Sequence, residues 1–222
     1  EPVTVTGSWG ESAQTVTRAD GTWRVQLQTP AAGGPHTITI KGSNSVELRD
    51  VLSGEVWVCS GQSNMDFSLK MLSKVVRNEA NRSVNDYLKH EIDTADDNRL
   101  RQFTVSRQST RTNLKGEWIL TQPEQVAAFT ATGYFFGREL RRELKVPVGL
   151  IKASVGGTVI EPWIPEEGFQ STPEMTAFMN APHKVPKHQS PTYLFNTMIR
   201  PVIPYAIKGV IWYQGESNQK KR

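Results

Sequence analysis

Three short polar stretches, each containing glycine, carry the residue types that acyl transfer needs. The first, Ser60-Gly61-Gln62-Ser63-Asn64-Met65, places a serine two residues beyond a glycine. A hydroxyl on a tight strand-to-helix turn is exposed at the rim of a sheet, beside unpaired backbone N–H groups at the positive end of a helix. That is the logic of a nucleophile elbow, although the letters G-x-S-x-G are absent. Serine is also a favoured helix cap, and on this loop alone capping is the stronger reading for Ser63. The second stretch, Ser154-Val155-Gly156-Gly157-Thr158, can present the N–H groups of Gly156 and Gly157 without side-chain obstruction, as a developing oxyanion requires. A glycine pair serving only a positive-φ turn would look the same. The third, Gln214-Gly215-Glu216-Ser217-Asn218, adds two amides able to donate a further hydrogen bond and a carboxylate better suited to orienting loops. Each stretch alone is ordinary; the three together are not.

What would bring them together is the pattern of the segments before them. Glu55-Val56-Trp57-Val58-Cys59 is an almost continuous apolar run, the mark of a strand buried on both faces of a parallel sheet. Similar runs occur at 100–105, 148–153 and 207–213. Between them, 132–144 places Phe136, Leu140 and Leu144 on one helical line. Gly133 and Gly137 lie beside that line, and Arg138, Arg141, Arg142 and Glu143 lie opposite. Alternating strands and helices predict a right-handed, three-layer α/β domain over 51–222. Ligands of such sheets bind beyond the carboxyl ends of the strands, where all three polar stretches fall. Residues 171–191, rich in proline and polar side chains, predict a loop or partly helical insert on the same rim. Residues 1–50 read differently: Val3 and Val5, then Trp23, Val25 and Leu27, then Thr37 to Ile40 alternate with polar neighbours. Turns at Asp20-Gly21 and Gly33-Gly34-Pro35 separate them, predicting a partial antiparallel β-sandwich domain.

Composition closes off other classes. The 222 residues are 37% hydrophobic and 22% charged, which excludes a collagen-like, coiled-coil or wholly disordered chain. No apolar run is long enough for a membrane span. A net charge of +4, part of it in Lys220, Lys221 and Arg222, is too mild and too terminal to predict a nucleic-acid partner. A single cysteine, Cys59, rules out an internal disulfide framework. No metal-ligand spacing or phosphate-binding glycine loop is present, so no cofactor is implied. The chain begins with Glu1, in the manner of a processed, exported protein.

The run Val56 to Met65 resembles the nucleophile block of the sialate O-acetylesterase family, a branch of the SGNH hydrolases. Gly149-Leu150-Ile151 and Ser154 to Trp163 resemble its second block, and Lys208 to Asn218 its third. Gly133 to Leu140 is similar to the helix that precedes the second block. The resemblance runs through nearly the whole chain in the family's order. It implies a three-layer SGNH-like fold and a serine esterase that removes acetyl groups from sialic acid through an acetyl-enzyme. Ser63 would be the nucleophile. The oxyanion would be held by Gly156 or Gly157 and by an amide of the third block, Gln214 in preference to Asn218. Gln62, Asn64 and Glu216 would support the loops. Acetylated xylan or another polysaccharide is the alternative substrate. A catalytically disabled carbohydrate-binding protein is the alternative of another class. The family also implies a secreted, periplasmic or, in a eukaryote, lysosomal location.

One part of the pattern is missing. The family's general base is a histidine three residues after an aspartate, in a segment beyond the third block. None of His36, His90, His183 and His188 occupies such a position, and without a base a serine is a weak nucleophile. The sequence therefore predicts that the base, its aspartate and at least one more strand come from a second polypeptide segment or chain.

Overall fold

The computed structural model describes residues 1–75, 82–110 and 112–221. The basic run at 220–222 falls outside the described side chains. The chain forms two compact units, Glu1–Glu55 with Lys145–Pro147, and Val56–Leu144 with Val148–Arg222.

The first unit is one antiparallel sheet, β1 (Pro2–Gly7), β2 (Ser12–Val16), β3 (Gly33–Lys41) and β4 (Ser45–Ser53), ordered β2-β1-β3-β4. Val3 and Val5 alternate inward as the sequence predicts, with Val5 opposite Ala13 on one side and Ile40 on the other. The predicted strand over Trp23 to Gln28 is not formed. That segment pairs with no strand; its Gln28 carbonyl accepts a hydrogen bond from the Trp9 indole at 2.9 Å. Val25 and Leu27 are still more sheltered than their neighbours. Period-two patterning reports which side chains turn inward, and a ladder additionally needs a free partner edge.

The second unit is a five-stranded sheet between two layers. Its elements are β5 (Glu55–Gly61), α1 (Ser63–Asp66), α2 (Leu69–Val75), α3 (Arg82–Asp93), β6 (Asp97–Thr104), β7 (Trp118–Thr121), α4 (Pro123–Val126), α5 (Ala131–Leu144), β8 (Val148–Ser154), α6 (Pro173–Asn180) and β9 (Gly209–Tyr213). The order is β7-β6-β8-β5-β9; β5 runs parallel to β9 and β6 to β8, with β7 antiparallel at one edge. Adjacent residues of one strand face opposite layers. Cys59, Leu100 and Leu150 join Met65, Leu88, Phe129 and Tyr134 on the face of α3 and α5. Val58, Ile151 and Ala153 join Trp163, Leu194 and Met198 on the other. Burial on both faces is the physical reason for the unbroken apolar runs.

Helix α5 approaches the sheet closely along Gly133 and Gly137, as those glycines allow, and Phe136 and Leu140 of the predicted apolar line pack against the same core. A methyl group added at Gly133 would sit 3.0 Å from the Cys59 sulfur, and one at Gly137 would sit 2.9 Å from Leu100. Leu144 is exposed. Strand β7 was not foreseen: four residues carry too little periodicity to read. On β9, Val210, Trp212 and Tyr213 are exposed, as are Ile203, Tyr205 and Ile207 just before it.

The topology decides where chemistry can occur. The chain leaves β5 for β6, returns to β8 between them, and finally reaches β9 on the far side of β5. Strands β8, β5 and β9 are therefore neighbours, and the segments leaving them share one rim at a topological switch point.

Candidate active site

Gly61 ends β5 with φ +132°, and Gln62 follows with its N–H donated to the Tyr213 carbonyl at 2.9 Å. The chain thus turns out of the sheet while still tied to β9. Gln62 occupies the N-cap of α1 without a side-chain cap bond, and Ser63 is the first helical residue. The capping alternative for Ser63 is therefore not used. Its hydroxyl has no hydrogen-bond partner among the described residues and faces a cavity of about 570 Å³. Helix α1 is a single turn, so its dipole is small and the local N–H groups matter more.

The second segment is held against the first by Asp66, three residues after Ser63. Its carboxylate pairs with Lys152 at 3.0 Å and accepts from the Ser154 hydroxyl at 3.1 Å and from the Gly156 N–H at 3.3 Å. Lys152 also donates to the Asp66 carbonyl at 3.1 Å. As a result Gly156 lies against the nucleophile turn: a methyl added there would be 3.7 Å from the Ser63 Cα. Gly157 adopts φ +74° with open space where a side chain would project, and its N–H has no partner among the described residues. Asp66 and Lys152 were missed in the sequence. The available signals were a carboxylate at i+3 from Ser63 and a lone charge inside the apolar run of β8.

The third segment divides its work. Glu216 accepts hydrogen bonds from the side-chain amides of Gln62 and Asn64, joining the third segment to the first. Gln214 donates to the Thr158 carbonyl at 3.2 Å and to the Asn218 side-chain oxygen at 3.1 Å. Asn218 accepts from the Ile160 N–H at 2.9 Å and donates to Glu161 at 3.1 Å. Both amides predicted as oxyanion donors are thus spent on the second segment, and neither lines the cavity beside Ser63.

That cavity is walled by Gln62, Ser63, Gly157, Val159, Glu216 and Ser217, and by Val185 and Gln189 of the insert. The insert does reach the rim, with α6 and a turn at Lys187–Gln189 as its ordered parts. Trp163 does not: it is buried, and its indole donates to the Thr158 hydroxyl at 3.0 Å. None of the four histidines lines the cavity. His183 is bonded to the Phe178 carbonyl at 2.9 Å and lies against the Phe178 ring, while His90 is exposed on α3. Among the described residues no cluster of His, Cys, Asp or Glu is arranged to hold a metal ion. The arrangement can present one hydroxyl and adjacent N–H donors to a carbonyl carbon and its oxygen.

A three-layer α/β sheet with a serine turn at its switch point places this unit among the α/β folds that bind ligands at that rim. Residues 53–222 match the family model described as carbohydrate esterase, sialic acid-specific acetylesterase. The chain belongs to that family. It is 31% identical to the sialate O-acetylesterases of Homo sapiens and Pongo abelii, with 89% of this chain aligned to 38% of each. A solved carbohydrate acetylesterase from Xanthomonas citri superposes with a TM-score of 0.79 at 34% identity, covering 98% of this chain and 45% of that one. The chain therefore spans about two fifths of the length of the mammalian relatives.

Proposed function

We propose that Ser63 is the nucleophile of a serine esterase that removes O-acetyl groups from sialic acid. The observation that carries this is that Ser63 and Gly157 line one cavity, while among the described residues neither the Ser63 hydroxyl nor the Gly157 N–H has a hydrogen-bond partner. Attack of the Ser63 oxygen on the acetyl carbonyl forms a tetrahedral oxyanion. Loss of the sugar alcohol leaves an acetyl-enzyme, which water hydrolyses. The backbone N–H groups of Ser63 and Gly157 serve the oxyanion, while Gln214, Asn218, Asp66 and Glu216 hold the segments in place. Similarity to sialate O-acetylesterases favours sialic acid over acetylated xylan, the second reading. The reading includes an exported or lysosomal protein, as the family resemblance implies. Among the described residues no helix is long and apolar enough to cross a membrane.

The base has to reach the cavity from elsewhere. A second polypeptide segment, docked along β9, supplies it in this reading. A second cavity of about 200 Å³, lined by Met198, Val202, Ile207, Val210 and Trp212, gives that segment an apolar seat. Exposed apolar surface on an edge strand favours being covered.

The test uses the intact protein. Ser63→Ala should abolish both covalent labelling by a fluorophosphonate and release of acetate from O-acetylated sialic acid. Labelling and turnover that survive the substitution would refute the assignment. Sugar binding without labelling or turnover in the unmodified protein would support the carbohydrate-binding alternative instead.

A further inference from the structure

Resting on Ser63 as the nucleophile, we propose that Gln189 is a positioning residue that sets the orientation of the Gly157 N–H. The side-chain amide of Gln189 donates to the Gly157 carbonyl at 2.9 Å and accepts from the Val159 N–H at 3.3 Å. One planar group thus bridges two backbone positions of the second segment and fixes the peptide between Gly157 and Thr158. Alternate groups of the same stretch are held elsewhere: the Thr158 carbonyl by Gln214 and the Ile160 N–H by Asn218. The insert, through Gln189, and the third segment, through Gln214 and Asn218, therefore both hold the stretch.

Gly157 is where such a grip has an effect. At φ +74°, with nothing within 4 Å of where a side chain would project, Gly157 has the open space and the conformational freedom of an exposed glycine. With the following peptide released, a glycine so placed can change its own φ and ψ and re-aim its N–H relative to the rest of the stretch. Among the described residues the bond from Gln189 is the one hydrogen bond to the Gly157 carbonyl. Gln189 is itself anchored, its N–H donated to the Pro186 carbonyl at 2.7 Å. The same insert places Val185 in the cavity wall, so the surface that meets the substrate and the clasp on the donor loop are one piece of chain.

An oxyanion donor acts mainly in the transition state, so releasing it lowers kcat and leaves KM nearly unchanged. Complete loss of one donor costs about 10²–10³-fold, and partial misorientation should cost about 10–100-fold. Gln189→Met keeps the length of the side chain and removes both bonds. In the intact protein with p-nitrophenyl acetate, it should lower kcat by about 10–100-fold at constant KM. Thermal midpoint and circular dichroism should stay as in the parent. Gln189→Glu should be impaired as well, because its carboxylate would face the Gly157 carbonyl. Ser63→Ala, measured alongside, separates the two ideas. If it abolishes turnover while Gln189→Met keeps kcat within about twofold, the positioning role alone is overturned. If Ser63→Ala retains turnover, the nucleophile assignment falls and this role with it. A drop in kcat accompanied by an equal loss of folded protein would also overturn the role, in favour of simple support of the insert.

Discussion

Replacing Gly61 by alanine should damage this protein far more than the same change at Gly215, although both glycines have positive φ. At Gly61 φ is +132°, and a methyl group built there lies 2.0 Å from the Tyr213 carbonyl oxygen and 2.6 Å from its carbon. At Gly215 φ is +145°, and the methyl group meets nothing within 4 Å. An L-residue at positive φ costs about 1–2 kcal/mol at either site. Overpacking adds about 1–3 kcal/mol at Gly61 alone. The obstructing atoms there are backbone, and they can yield only by opening the β5–β9 ladder, where Gly61 pairs with Tyr213. The expected losses are about 2–5 kcal/mol for Gly61→Ala and about 1–2 kcal/mol for Gly215→Ala. Urea unfolding followed by circular dichroism, with unchanged m-values, would measure both. Losses equal to within about 0.5 kcal/mol would refute the claim that close approach of β9 dictates the glycine.

Two further outcomes follow from the site and its floor. Asp66→Ala should destabilise by about 1–3 kcal/mol, because Lys152 is only 14% exposed and loses its counter-ion. Lys152→Met in the same background should recover part of that loss; strict additivity of the two changes would contradict the pairing. Burial pushes the Cys59 thiol up to about 12, so its reactive thiolate is scarce at pH 8. Folded protein should therefore resist iodoacetamide at that pH and take up one equivalent in denaturant; rapid alkylation of the native state would show that the floor of the sheet is open.

The parts legible in the sequence were those whose signal is local. Apolar runs gave β5, β6 and β8 because each packs against both layers, and glycines and serine marked the segments beyond them. The run of β9 was legible too, but the expected burial is not met: β9 is an edge strand with Val210, Trp212 and Tyr213 exposed. Trp23 to Leu27 misled because alternation encodes which side faces inward, while pairing depends on an available edge elsewhere. The uses of Gln214 and Asn218 were illegible for a related reason. An amide donates to whatever acceptor the fold brings near, and those of Gln214 and Asn218 met the Thr158 carbonyl and the Glu161 carboxylate rather than the cavity. Asp66 and Lys152 meet across 86 residues, a pairing visible only after β8 has been placed beside β5.

The double hold on 157–160 has an implication for timing. A stretch held at the Gly157 and Thr158 carbonyls and at the Val159 and Ile160 N–H groups has surrendered much of its freedom during folding, so little ordering remains to be done when a ligand arrives. Rigid-body recognition is the natural outcome for that part of the rim. Any accommodation of a bulkier ligand would then fall to the Val185 side of the mouth, within the same insert that holds Gly157 through Gln189.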